Sequence, residues 1–326
     1  MRKSFAIIGV FLLAIGVSLG NEARAAEKFP VKPINFIVPL EAGSDGDLLS
    51  RPFTQKASTV MGQPIVIVNK PGAGSTIGAR EVYNAKPDGY TVGMAAVTLI
   101  TNKLQGLMPY DHNDYTLLGM FYTFNHIMIG ATKTARPFKT IEEVIAYAKA
   151  HPGEVKLSVA SVGQSLWIAA MAFMDGTGLD FNTIPQAGAG GQTTLQAAGG
   201  HADIAVVGLG SAKAQIDAGN ARLLAVIGPK RALPPYHYAP TLREIGYDIS
   251  WDTFGILIGP PKMPKEATDK LVHAFEIAAN DPSYIKFLNE RNVYQFYLPP
   301  DKMVGFLDER QKQAQRIMEK AGILKK

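Results

Sequence analysis

Four glycine- and serine-rich stretches stand where an apolar run gives way to a helical pattern. The first is Val38-Pro39-Leu40-Glu41-Ala42-Gly43-Ser44-Asp45-Gly46-Asp47. A glycine-rich turn entering a helix exposes free main-chain N–H groups at the positive end of the helix dipole. It can therefore hold a carboxylate without a cationic side chain. The same residues also suit an ordinary strand-to-helix turn with Asp47 as a cap or first-turn acid. The second stretch, Asn69 to Ala79, carries Gly72, Gly74 and Gly78. Its G-x-G-x-x-x-G spacing is not the dinucleotide pattern G-x-G-x-x-G. It reads as another anion-facing helix start offering Gly74, Ser75 and Thr76. The third, Ser158 to Ser165, places serines and a glutamine at a helix start, where they act as caps or as neutral donors to a carboxylate. The fourth, Pro185 to Thr193, has a phosphate loop's glycines without its lysine, which disfavours ATP hydrolysis.

Other chemistries lack their residues. There is no cysteine, so thiolate nucleophiles, disulfides, cysteine-ligated metals and lipidated cysteine anchors are excluded. No G-x-S-x-G elbow occurs. His112, His126, His151, His201, His237 and His273 form neither H-x-H nor H-E-x-x-H, so no local metal signature exists. Glu142 and Glu143 fall in a helix's first turn, where they favour the dipole rather than acid–base work. No arginine is aimed at these turns by sequence. Neither cofactor nor metal is expected.

The turns must be positioned by strands and helices. Strand-length apolar runs recur at Ile34–Leu40, Ile65–Asn69, Tyr90–Ala95, Ile127–Ala131, Lys156–Ser161, Asn182–Pro185, Asp203–Gly208, Arg222–Ile227 and Phe254–Gly259. Helical stretches intervene, among them Asp47–Lys56, one opened by the capping box Thr140-Ile141-Glu142-Glu143, and Leu166–Met174, Lys265–Ala279 and Pro300–Ala321. Strand–turn–helix alternation predicts an α/β protein whose sheets are covered by helices. With 326 residues, about two domains are expected. No linker cuts the chain once, so two strand-like crossings near Phe124–Met128 and Trp251–Phe254 join them. Domain 1 would comprise residues 26–125 and 253–326, and domain 2 residues 126–252.

The first 25 residues read as a cleavable secretory leader. Arg2 and Lys3 precede the uncharged run Phe5 to Leu19, and Ala23-Arg24-Ala25 supplies a small-x-small site. The run is shorter than the ~20 residues a spanning helix needs. The leader holds +2 of the chain's formal charge of +5. What remains is near neutral and scattered, apart from the tail pair Lys325 and Lys326, with no basic stripe for nucleic acid. A periplasmic protein is expected.

Taken together, the blocks resemble the substrate-binding proteins of the tripartite tricarboxylate transporter, also called the Bug family. Phe29 to Ile34 resembles the family's opening. Pro39 to Arg51 is similar to its P-F-x-A-G-G-x-x-D-x-x-A-R signature, with Gly43, Asp47 and Arg51 in step. Val68 to Tyr90 resembles its second signature, Gly199 to Asp203 its G-G-x-x-D, and Pro240-Thr241 its later P-T. The resemblance implies a two-domain periplasmic binding fold of type II, with a mixed sheet flanked by helices in each domain and a small organic carboxylate held in the cleft between them. It implies a monomer, no enzymatic activity, and large and small membrane permease subunits as partners. By motif, domain 1 would offer Leu40, Glu41, Ala42, Gly43, Ser44, Asp47, Gly74, Ser75 and Thr76. Domain 2 would offer Ser161, Gly163, Gln164 and Ser165, with Gln186 opposite them.

Departures from the pattern bear on the ligand. Glu41 replaces a small or apolar residue and sets a carboxylate near the anion cradle; Ser44 replaces the second glycine. Where the family has H-L-A, this chain has Trp167-Ile168-Ala169. Trp167 would supply a flat wall for an aromatic or long-chain acid, the alternative being a packed helix residue. Binding would rest on neutral hydrogen bonds of roughly 0.5–1.5 kcal/mol net each. Several of them, with lobe closure, reach micromolar affinity, about −8 kcal/mol. Two other functions fit the same features: a sensor presenting its ligand to a membrane receptor kinase, and an exported α/β hydrolase or lyase.

Overall fold

The computed structural model of the chain describes residues 29–187 and 190–324. The predicted leader, the tail pair Lys325 and Lys326, and Gly188 and Ala189 of the fourth glycine stretch lie outside the described residues. Among the described residues no helix is long and apolar enough to cross a membrane.

Among the described residues nine strands form one sheet, eight of them in a continuous path. They are β1 (Ile34–Val38), β2 (Ile65–Asn69), β3 (Thr91–Ala95), β4 (Thr116–Ala131), β5 (Lys156–Val159), β6 (Asn182–Pro185), β7 (Ile204–Gly208), β8 (Ala221–Ile227) and β9 (Asp252–Gly259). The order is β2-β1-β3-β9-β4-β7-β5-β6, with β8 also on β4. The helices are α1 (Asp45–Met61), α2 (Thr76–Tyr83), α3 (Thr98–Leu104), α4 (Ile141–Ala150), α5 (Ser165–Thr177), α6 (Gly190–Ala198), α7 (Leu209–Asp217), α8 (Lys265–Ala279), α9 (Pro282–Asn289) and α10 (Pro300–Lys320).

The 16-residue β4 is the organising element. Its first part, Thr116 to Asn125, pairs antiparallel with β9. From His126 onward it pairs with β7 on one edge and β8 on the other. The partner change thus falls between Asn125 and His126. Register shifts at Leu117/Gly119, Met120/Tyr122 and Met128/Ile129 twist the strand, as bulges do. The sequence showed only the second part, Ile127–Ala131, because the mixed run Thr116–His126 lacks a clean alternation.

In each half the parallel strands end on a common edge. β2, β1 and β3 run parallel and end at Asn69, Val38 and Ala95. β6, β5 and β7 run parallel and end at Pro185, Val159 and Gly208. Their strand-to-helix turns gather at those edges, which is where ligands enter open α/β sheets. Beneath the first edge, α1 and α8 pack an aromatic cluster against the sheet. The rings of Phe53 and Phe121 approach to 4.5 Å and those of Phe53 and Phe275 to 5.4 Å. α10 reaches back to the second half, where Lys320 pairs with Asp175 at 2.7 Å.

Candidate binding cleft

The turn from β1 to α1 is held from within. Gly43 adopts φ +83°, a conformation that favours glycine, and opens the turn. Ser44 caps α1 by accepting from the Asp47 amide at 3.5 Å. Asp47 is 1% exposed, and its carboxylate accepts from the Gly43 amide (2.9 Å), Arg51 Nε and Nη2 (3.0 and 2.9 Å) and Asn69 Nδ2 (3.0 Å). Those donors hold its pKa below the ordinary carboxylate range against the opposing effect of burial. With these four bonds made, Asp47 has no oxygen left for a ligand. The expectation that it binds one is corrected: it fastens the turn to β2 and to Arg51. Asn69 also donates to the Leu40 carbonyl at 3.1 Å, and Leu40 folds onto the first turn of α1. Glu41 and Ala42 are exposed at the tip. The Ser44 amide is spent on the Glu41 carbonyl.

The turn from β2 to α2 passes through consecutive left-handed residues. Ala73, Gly74 and Ser75 have φ of 46°, 63° and 72°. Two of them are not glycine, and strain of this kind persists only where surrounding contacts impose it. Asn102 of α3, buried, donates to the Gly74 carbonyl at 2.9 Å and fixes the turn. Thr76 is buried at the start of α2.

Across the gap, the β5-to-α5 turn carries Ser161, Gly163 and Gln164. Ser161 donates to the Gln186 carbonyl at 3.1 Å, tying this turn to the one after β6. The Gln186 side chain donates to the Ile184 carbonyl at 3.3 Å. Gly163, with φ +78°, lies so close to Gln105 that a Cβ would overlap its carboxamide. Thr101 Oγ1 donates to the Gly163 carbonyl at 3.2 Å. α3 therefore touches both the Gly74 turn and the Gly163 turn, and brings two of the predicted segments together. Gln164 caps α5 without a side-chain bond, and the first-turn amides of Ser165, Leu166 and Trp167 have no intrahelical partner.

Two expectations on α5 are corrected. Trp167 is 5% exposed and belongs to the core with Ile168, Phe173 and Trp251, so it presents no wall to a ligand. Trp167 is buried together with Ile168, Ala169 and Ala170, and burial of the ring outweighs exposure. The Ser165 hydroxyl accepts from Trp251 Nε1 (3.0 Å) and Thr253 Oγ1 (2.7 Å) and contacts His126 Nε2 at 2.9 Å. Indole and threonine act as donors, which directs the serine proton to a neutral imidazole. Complete burial agrees, pulling the His126 pKa down to about 3. The Ser165 hydroxyl thus joins the point where β4 changes partners, and only its amide remains for the gap. Beside it, Asp252 accepts from Arg310 (2.5 Å) and Thr123 (2.6 Å), anchoring α10 to the same point.

Sequence reasoning missed three contributors. α3 was unread, although its start directly after β3 at the strand ends marks it as a cleft element. Asp45 and the start of α7 were not singled out, yet the Asp45 carboxylate lies opposite Gly210, 3.9 Å from where its Cβ would stand. They line a cavity of about 230 Å3 with Phe124, Asn125, Lys213 and the turn 290–293. Arg291 of that turn also lines the cavity. Among the described residues no cluster of His, Asp and Glu could hold a metal ion.

Helix starts and tight turns from two sheet edges can hold a small anion, whereas the Ser165–His126 contact lies on a fully buried imidazole at the strand crossing and is shared with Trp251 and Thr253. Comparisons with known proteins agree with the fold. The chain is 31% identical over 320 residues to the UPF0065 protein in the gbd 5′ region of Cupriavidus necator, covering 96% of this chain and 94% of that one. A TctC solute-binding protein from Polaromonas superposes with a TM-score of 0.76 at 29% identity, covering 90% and 99% of the two chains. Rpa4515 of R. palustris, whose structure holds adipate, superposes with a TM-score of 0.78 at 24% identity, covering 91% and 99%. Residues 49–323 match the family model described as tripartite tricarboxylate transporter family receptor. The α/β fold is that of the periplasmic binding proteins, and the chain belongs to the tripartite tricarboxylate transporter receptor family.

Proposed function

We propose that this protein captures a small organic carboxylate in the periplasm, between a lobe of residues 26–125 with 253–326 and a lobe of residues 126–252, and delivers it to the permease subunits of a tripartite tricarboxylate transporter. One observation carries the reading: α3 ties the strand-end turns of both sheet edges together, Thr101 bonding to Gly163 and Asn102 to Gly74, while no side chain caps the starts of α2 and α5. The amides of Ser165 and Leu166, with the turns at Gly74–Thr76 and Gly163–Gln164, are the ligand donors; Asp47, Asn69 and Asn102 hold those turns in place. The adipate bound by Rpa4515 supports a carboxylate as the ligand class. Closure works by differential contact: a ligand touching both lobes stabilises the form in which they meet. The β4 and β9 crossings, clasped through Ser165, form the hinge.

A thermal-shift screen of organic acids tests this. An acid at 100 times its Kd stabilises the protein by about 2.7 kcal/mol, a readily visible shift. The acid must be recovered unchanged. Absence of a shift with every di-, tri- and aromatic acid tried, or turnover of the bound acid, would refute the reading.

A further inference from the structure

We propose that Asp45 recognises the ammonium group of a zwitterionic ligand, so that the acid captured here is of the amino acid type. The inference rests on the carboxylate reading above and narrows it. The two acids opening α1 differ sharply. Asp47 is matched on both oxygens. Asp45, two residues earlier, has no hydrogen-bond or ion-pair partner among the described residues, yet its carboxylate reaches across to the start of α7.

The other charges of the cavity are matched locally. Lys213 donates to Asp217 at 2.7 Å and to the Tyr236 hydroxyl at 2.8 Å. Arg291 lies 3.8 Å over the Phe287 ring, donates to the Phe287 carbonyl and is within 4.0 Å of Glu290. The charge left without a counterpart in the cavity is therefore the negative one of Asp45. Asp45 is exposed at the edge of the cavity, and the protein packed around its carboxyl raises its pKa above the ordinary range by partial loss of solvent. A second carboxylate brought into this cavity would be repelled by Asp45. An ammonium carried on the same ligand removes that repulsion and gains a charge-assisted hydrogen bond. Gly210 leaves room for the group, because any side chain there would project toward the Asp45 oxygen.

Titration calorimetry on matched pairs tests the idea: succinate against aspartate, glutarate against glutamate, 3-phenylpropionate against phenylalanine. In the wild type, the amino member of the best-bound pair is expected to bind at least tenfold tighter, about 1.4 kcal/mol. In Asp45→Asn that ratio falls toward one, while the unaminated acid binds as well or better. Because the ratio is taken within one variant, any change in its stability cancels. Acids that bind with no gain from the ammonium, or a preference surviving in Asp45→Asn, overturn this inference and leave the carboxylate reading standing. If no member of any pair binds, this inference falls, and the carboxylate reading stands or falls with the thermal-shift screen.

Discussion

Acidification should weaken the fold through one buried imidazole. His126 lies at the partner change of β4, wholly buried, with a pKa drawn down to about 3 by loss of solvent. In the unfolded chain the same group titrates near 6.5. Between those values the unfolded state binds the extra proton, so stability rises with pH and is lost as pH falls from about 6.5 toward 3. From pH 7 to pH 5 the loss comes to about 2 kcal/mol, since at pH 5 the unfolded imidazole is stabilised by 1.5 pH intervals of protonation. Asp45, displaced upward, contributes with the opposite sign, so comparison with a variant is needed. His126→Gln keeps an acceptor for the Ser165 hydroxyl and removes the titration. Urea denaturation at half-unit steps, wild type against variant, isolates the term. Parallel pH curves for the two proteins would refute the assignment of a neutral, desolvated imidazole at the hinge.

Other perturbations have equally definite outcomes. Asp47→Ala strands the Gly43 amide and the Asn69 carboxamide, and should cost about 2–4 kcal/mol in urea denaturation; an unchanged midpoint would mean the turn holds itself. Gly163→Ala adds about 1–2 kcal/mol of left-handed strain and a clash with Gln105, so acid affinity should fall. Adding Gln105→Ala should restore part of that affinity, because only the clash is relieved. Ser165→Ala removes the shared acceptor of Trp251 and Thr253 and should cost about 1–3 kcal/mol, with a change in tryptophan emission.

Much of this architecture was legible as pattern. The strand runs at Ile65–Asn69 and Asn182–Pro185 and the helix Lys265–Ala279 coincide with β2, β6 and α8, because apolar periodicity and turn residues agree there. β4 was half hidden: Thr116–His126 packs on both faces and carries bulges, so it shows no period of two. The capping box at Thr140 was readable, the side chain accepting from the Glu143 amide as its spacing implies. Site roles were harder. Sequence could place Asp47, Ser165 and Trp167 at helix starts, but whether such residues serve a ligand, a neighbouring turn or the core depends on distant partners. Asn69, Thr253 and the sheet decide that here, and no local motif names them. Asp45 escaped notice for the converse reason, since what distinguishes it is the lack of a partner.

The most direct measurement is a crystal structure of the protein grown with the acid that shifts its melting temperature most, alongside one grown without it. The account predicts the acid's carboxylate within hydrogen-bonding distance of the Ser165 and Leu166 amides and the Gly74–Thr76 turn, with the two lobes rotated about β4 between the structures. An acid bound outside that gap, or lobes unmoved between the two, would contradict it.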